Sequence, residues 1–342
     1  MKVGFDISQL AFQGGVVTYT KNLAEQLAKM SELEIIFFYS SMRVPYKGTL
    51  KNVKHFPFPS TALEIIFNKF RQIPIEKFIG QIDVFHSSDW IQPKTNAKKV
   101  TTYHDVVPLK YPQWSHPKII KVHRRRLELV EKEIDMVIAV SESTKKDLLE
   151  ISTIPEEKIT VIYEGVDEKF KPQSDEKVES FRKKYNLPEE FILAIGGIGE
   201  RRNLKRIEEA VKDYNLVVTG KTIPWISDGE LPLLYCASKL LLYPSLYEGF
   251  GLPILEAMAC GTPVITSNIS AMSEVGGLAA ARAVLYVNPE NIDEMKRAIR
   301  EIMGDKRIRE EMIKKGFAQA KKFTWEKCAK DTAKVYEEVM KK

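Results

Sequence analysis

The chain has 342 residues, of which 44% are hydrophobic and 29% charged. That composition belongs to a folded globular protein about twice the usual single-domain length, so two domains are expected. The longest apolar runs, such as residues 191–195 and 240–243, are far too short to cross a bilayer, and the first six residues enter a strand pattern with no signal-peptide profile. Cys236, Cys260 and Cys328 form no Cys-x-x-Cys pair, which argues against a disulfide framework or zinc cage and points to the cytoplasm. The net charge of +6 is uneven: residues 43–132 carry 17 Lys/Arg against 7 Asp/Glu, and all five histidines lie in that block. Such a surface attracts phosphates or anionic lipid. No zinc-finger spacing, RNP-like run or basic zipper gives it the shape of a nucleic-acid binder.

In chain order, residues 2–7 read as a strand, Gly14-Gly15 as a turn, 18–30 as a helix and 33–39 as a second strand. Further short strands are expected at 84–85, 99–103, 136–140 and 158–163, with helices at 117–134 and 143–151 between them. Residues 167–190 are charged and contain Pro172 and Pro188, the composition of a linker with one short helix. A second alternating series follows, with strands at 191–195, 216–219, 240–243, 263–267 and 284–287. Its helices are expected at 203–214, 229–237, 253–259 and from 292 to the end. Alternation of this kind predicts an α/β protein with two parallel, doubly wound sheets, whose ligands bind at the carboxyl ends of the strands.

The sharpest feature is residues 243–265, Tyr-Pro-Ser-Leu-Tyr-Glu-Gly-Phe-Gly-Leu-Pro-Ile-Leu-Glu-Ala-Met-Ala-Cys-Gly-Thr-Pro-Val-Ile. A strand ends, a glycine-rich turn follows, and Pro253 stands where a helix begins. Turn amides and a helix N-terminus together suit a diphosphate, and carboxylates at Glu248 and Glu256 suit sugar hydroxyls. This string resembles the E-x7-E segment of retaining glycosyltransferase family 4, the mannosyltransferase-like group with the GT-B fold. The resemblance runs nearly end to end. It includes Gly14-Gly15-Val16-Val17-Thr18, Phe85-His86-Ser87-Ser88-Asp89, Tyr103-His104-Asp105-Val106, Ala139-Val140-Ser141-Glu142, Tyr163-Glu164-Gly165-Val166-Asp167 and Phe323-Thr324-Trp325-Glu326.

The resemblance implies two facing Rossmann-like domains: an acceptor domain at 1–168, a linker at 169–190, a nucleotide-sugar domain at 191–325, and a helix at 326–342 returning to the first domain. It implies that Glu248 contacts hydroxyls of the donor sugar, Glu256 holds the ribose, and Gly249, Phe250, Gly251 and Leu252 form the turn over sugar and diphosphate. His104 would project towards the sugar and act with Glu248 in catalysis, whereas His86 reads as structural. Arg201 and Arg202 would neutralise the diphosphate, Arg202 standing where the family usually has Lys; the two cations differ in geometry. Gly14 and Gly15 match the loop on the acceptor and phosphate side.

Only 20 residues separate strands 216–219 and 240–243, so the second domain is expected to lack about one strand and one helix. Trp225, in that shortened segment, reads as a packing residue under the loop, with stacking on a base as the alternative. The implied activity is metal-independent, cofactor-free transfer of a hexose from a nucleotide sugar, GDP-mannose before a UDP-sugar, to a glycan or lipid-linked acceptor. The absence of any Asp-x-Asp agrees with a metal-free reaction. A degenerate binder of sugar nucleotide or glycan without turnover is the alternative. Residues 62–79, apolar with interleaved cations, and the run Arg124-Arg125-Arg126 are expected to favour peripheral contact with anionic membrane at its inner face.

Overall fold

The computed structural model describes residues 1–12, 14–197, 199–279 and 282–341. Lys342, part of the expected C-terminal helix, lies outside the described residues. The chain divides into two compact units, the first being Met1–Gly165 with the C-terminal helix Trp325–Lys341, the second Val166–Thr324. Residues 166–190, most of which the sequence reads as a linker, therefore belong to the second unit. There the helix Asp175–Tyr185 buries Val178 and Phe181, and Arg182 donates to the Ala237 carbonyl at 2.7 Å.

In the first unit seven strands form one parallel sheet: β1 Lys2–Asp6, β2 Glu34–Ser40, β3 Val53–Phe56, β4 Val84–Ser87, β5 Lys98–Tyr103, β6 Met136–Ala139 and β7 Ile159–Val161. Their order is β3-β2-β1-β4-β5-β6-β7, so the winding reverses between β1 and β4. β3 has no counterpart in the sequence reading. It is an edge strand whose Lys54 and His55 are exposed, so it carries no apolar run to announce it. The central strands are buried on both faces, as in β2, where Ile35 to Tyr39 are all buried. Helices must therefore cover the sheet on both sides. One is Gly15–Leu27, which turns Tyr19, Leu23, Ala24 and Leu27 inward. It packs against Trp325–Lys341, whose buried Trp325, Cys328, Ala329, Thr332, Tyr336 and Val339 repeat at helical spacing. Each such large apolar side chain contributes ~1.5–3 kcal/mol by leaving water.

The segment read as a membrane-facing series divides between core and surface. Leu63, Phe67, Ile75 and Ile79 pack the first unit's core, whereas Ile65, Phe70 and Ile73 are exposed. The Arg run is corrected more sharply. Arg126 is fully buried, donating to Asp89 Oδ1 at 2.9 Å, Thr101 Oγ1 at 3.1 Å and the Thr102 carbonyl at 2.6 Å, with its guanidinium 3.7 Å from the Tyr103 ring centroid. Removing one partner of such a buried pair costs about 3–5 kcal/mol, so Arg126 is a structural cation rather than a surface one. Arg125 is tied to the Asn68 carbonyl at 2.9 Å and to Glu128, and only Arg124 of the three is freely exposed.

The second unit holds five parallel strands: β8 Ile192–Ala194, β9 Leu216–Val218, β10 Leu240–Tyr243, β11 Val264–Ser267 and β12 Leu285–Val287. Their order is β12-β11-β10-β8-β9, with the reversal between β8 and β10. A single helix, Leu231–Ala237, joins β9 to β10, with no further strand between them, as expected from the 20 residues available. Helix Leu252–Cys260 is buried almost all round. Left-handed Gly251 and Gly261 bracket it, at positions where a Cβ would approach Ile254 at 3.2 Å and Phe317 at 3.0 Å.

Candidate functional site

In each unit the chemistry-bearing residues gather at the carboxyl ends of strands, and in the second unit they flank the reversal of winding between β8 and β10, where open α/β sheets bind ligands. In the second unit the loop after β8 carries Arg201 and Arg202, and the loop after β10 carries Glu248. The two loops are pinned together: Leu246 N–H donates to the Arg201 carbonyl at 2.9 Å. Asn203, buried and left-handed with φ 62°, donates to the Pro244 carbonyl at 3.0 Å and the Pro289 carbonyl at 2.6 Å. Ser267 Oγ donates to the Ser245 carbonyl at 2.6 Å, and Glu248 N–H donates to Ser270 Oγ at 3.1 Å.

Glu248 is thereby held with only 8% of its side chain exposed, between both cations. Arg201 Nη1 lies 3.2 Å from Oε2, and Arg202 Nη1 donates to Oε1 and also to the Tyr243 hydroxyl. Burial works against the Arg202 charge, but Tyr243 and Glu248 outweigh it and hold the guanidinium protonated. The resemblance assigns the arginines to a diphosphate and the glutamate to a sugar; in the structure they hold one another.

Gly249, Phe250 and Gly251 lead from Glu248 into helix Leu252–Cys260. Phe250 is buried, its ring centroid 6.0 Å from that of Phe323, so it contributes backbone rather than side chain to the turn. Leu252 opens the helix, with Pro253 beside it and Ile254 N–H donating to the Gly251 carbonyl at 3.0 Å, so the positive end of the helix dipole stands at the strand end. Glu256, about one turn along, is buried more deeply than an open carboxylate would be, with Tyr235 OH donating to Oε2 at 2.7 Å. Burial pushes its carboxyl up to about 7, against the Tyr235 hydrogen bond and the Lys169 charge, which pull it down.

In the first unit His104 follows β5. Its side chain is 11% exposed and its Nδ1 lies 3.1 Å from Oε1 of buried Glu164. Burial alone lowers its pKa, yet the Glu164 hydrogen bond and the charges of Asp89 and Glu164 outweigh it and raise the value. Because the carboxylate accepts, Nδ1 carries the proton and Nε2 is the ring's other hydrogen-bonding atom. The Tyr19 ring stands edge-on at 4.5 Å. His86 is structural, as read: it is buried, with Nδ1 2.7 Å from Tyr336 OH and Nε2 2.9 Å from Thr102 Oγ1. Gly14 and Gly15 are exposed at the start of helix Gly15–Leu27. Near them lies a groove of roughly 500 Å³ lined by Phe12, Val16, Trp90, Ile119 and Val122 together with Lys118 and His123.

The sequence reading missed Glu164 as a partner for His104, although it lies in a quoted segment. It also missed Tyr235, which no motif marks, and Asn203, the staple between the two loops. Among the described residues no cluster of three or more His, Cys, Asp or Glu is placed to hold a metal ion, and no helix is long and apolar enough to cross a membrane.

Two parallel-sheet Rossmann-like units, of seven and five strands, are the architecture of the GT-B fold. The chain belongs to the family of glycosyl transferases group 1, whose sequence model matches residues 144–319; residues 13–170 match the model for Glycosyltransferase Family 4. It is 28% identical over 285 residues to O-antigen chain mannosyltransferase B of Escherichia coli, covering 74% of each chain. It is 29% identical over 268 residues to the serotype-specific mannosyltransferase WbdA of the same species, with 68% of this chain matched to 32% of that one. The chain thus spans about a third of WbdA's length. Among solved structures, sucrose-phosphate synthase from Thermosynechococcus elongatus superposes with a TM-score of 0.76 at 21% identity, covering 99% of this chain and 98% of the other.

The environment of Glu256 has a measurable consequence. Its carboxyl titrates near 7 when folded and near 4.5 when not, so between those values the folded state holds the extra proton. Stability from this group therefore falls as pH rises through that window. Glu256→Gln removes the dependence, and relative to wild type it should gain on the order of 3 kcal/mol in unfolding free energy between pH 5 and pH 8. Chemical denaturation at both pH values measures it; a pH-independent difference would show that the carboxyl titrates in the ordinary range.

Proposed function

We propose that the protein is a retaining, metal-independent mannosyltransferase that uses GDP-mannose, with a UDP-sugar as the next candidate donor, and acts on a glycan or lipid-linked acceptor at the inner face of a membrane. The observation that carries the donor side is Glu248, buried between Arg201 and Arg202 ahead of a helix N-terminus. The two relatives from Escherichia coli are both named as mannosyltransferases, which supports the choice of sugar.

In this reading the two guanidinium groups and the positive end of helix Leu252–Cys260 take the charge that develops on the departing diphosphate. Preorganised cations and dipoles do this without a metal ion or other cofactor. Gly249, Phe250, Gly251 and Leu252 supply backbone amides rather than side chains. Glu248 accepts hydrogen bonds from sugar hydroxyls, and Glu256, once ionised, accepts them from the ribose. The acceptor hydroxyl attacks the anomeric carbon on the face the diphosphate leaves. Its proton passes to the leaving phosphate oxygen, the C–O bond to the diphosphate breaks, and the new glycosidic bond keeps the original configuration. His104, oriented through Nδ1 by Glu164, presents Nε2 to the sugar, and the Gly14-Gly15 loop serves the acceptor.

Membrane contact rests on exposed Ile65, Phe70 and Ile119 in the first unit, with Lys69, Lys118, Lys121 and Arg124 exposed on the same helical segments. Each cation near an anionic surface contributes ~1 kcal/mol.

GDP release from GDP-mannose in the presence of candidate acceptors tests the reaction. Glu248→Gln and His104→Asn should each lower turnover at least roughly 100-fold. These variants are preferred to alanine because both side chains are buried and ion-paired. Wild-type activity should persist in EDTA; full turnover in either variant, or a strict divalent-metal requirement, sinks the reading. Co-sedimentation with anionic vesicles should be lost on changing Lys118, Lys121 and Arg124 together to Gln. Absence of wild-type pelleting at low salt would assign the enzyme a soluble acceptor.

A further inference from the structure

Trp225 departs from the packing role read from the sequence: it is 67% exposed, in the segment that joins β9 to β10. What it rests on is backbone without side chains. β8 runs out into Gly196 and Gly197, with φ of 103° and 84°, and the neighbouring β9 runs out into Gly220, with φ of 76°. A Cβ on Gly197 would stand 3.1 Å from the Trp225 ring, and one on Gly220 only 2.6 Å from it. A Cβ on Gly196 would stand 2.9 Å from Arg202 Nε. Conformation and space thus both demand glycine at three positions on the carboxyl ends of two adjacent strands. Since consecutive Cα atoms are about 3.8 Å apart, the Arg202 guanidinium and the Trp225 indole lie on neighbouring residues of one floor.

The segment that delivers the indole is itself fixed. Gly220 N–H donates to the Ile223 carbonyl at 2.9 Å, Ile223 is buried and bridges to Thr219, and Pro224 locks the backbone immediately before Trp225. Asp228, three residues on, pairs with Lys169. A large aromatic face held in place, turned to solvent and set beside a cation is suited to a ligand that joins a flat π-system to a phosphate. Nucleotides have that form.

We infer that Trp225, on the floor of Gly196, Gly197 and Gly220, is the stacking platform for the nucleobase of the donor. The inference rests on the donor reading of Arg201, Arg202 and Glu248, and adds to it the way the base is held. Every base offers a π-face, so an indole platform supplies affinity for purine and pyrimidine diphosphates alike and leaves the choice of donor to other contacts. Arg202 stays with the phosphates, one residue along the floor.

Titration of GDP, UDP and inorganic pyrophosphate into wild type, Trp225→Ala and Trp225→Phe tests this. Trp225→Ala should weaken GDP and UDP by roughly tenfold or more, the range expected for loss of one base stack. Its pyrophosphate affinity should stay within about twofold of wild type, because the cations remain, and its melting temperature should not move, because the side chain is exposed. Trp225→Phe should recover most of the nucleotide affinity. GDP should quench the tryptophan fluorescence of wild type but much less that of the Phe variant. If wild type binds GDP or UDP and Trp225→Ala binds it equally well, the platform is wrong and the donor reading stands. If wild type binds neither nucleotide, the donor reading fails and the platform fails with it.

Discussion

A single carboxylate shared by two guanidinium groups organises the strand ends of the second unit. Taking Glu248 out of water is costly unless its charge is met, and Arg201 and Arg202 meet it from one loop while Ser270 receives its backbone N–H. The arrangement survives only because the loops cannot drift apart. Asn203, in a backbone conformation that asparagine tolerates better than most residues, reaches across to two carbonyls on the neighbouring loops. The triad carries one positive charge in excess, next to the positive end of helix Leu252–Cys260. An anion arriving there meets cations already in place, and Glu248 must then share them.

Three glutamates, two in the second unit and one in the first, illustrate how environment sets chemistry. Glu248 faces cations; Glu256 faces a tyrosine hydroxyl in a buried setting that pushes its carboxyl up to about 7; Glu164 faces a histidine ring and fixes which nitrogen carries the proton. Identical side chains thus do different work: one balances charge, one is pushed up towards neutrality, and one orients. Near neutral pH, a ligand hydroxyl that donates to Glu256 must compete with protonation as well as with Tyr235.

Much of this was legible from the chain. Alternating short apolar runs and amphipathic segments predict parallel sheets, and the string around Glu248 to Glu256 places two carboxylates and a helix start at a strand end. What escaped the sequence shares a physical cause: it depends on contacts between residues far apart. β3 is an edge strand with no apolar signature. Tyr235 meets Glu256 across 21 residues and His104 meets Glu164 across 60, and neither pair has a local pattern. Arg126 looks like its neighbours Arg124 and Arg125 in a basic run, yet helical rotation turns it alone into the interior, onto Asp89 and Tyr103. Trp225 misled in the opposite direction, because an aromatic is expected inside and only the glycines beneath it explain why it stays out.

The claim that the diphosphate and Glu248 share the same cations can be tested by calorimetric titration of GDP into wild type and Glu248→Gln. In wild type the incoming phosphates must draw Arg201 and Arg202 away from a buried carboxylate that also repels them. The neutral amide removes both costs, so the variant should bind GDP more tightly than wild type even as its turnover falls. Weaker binding of GDP by Glu248→Gln would contradict the account.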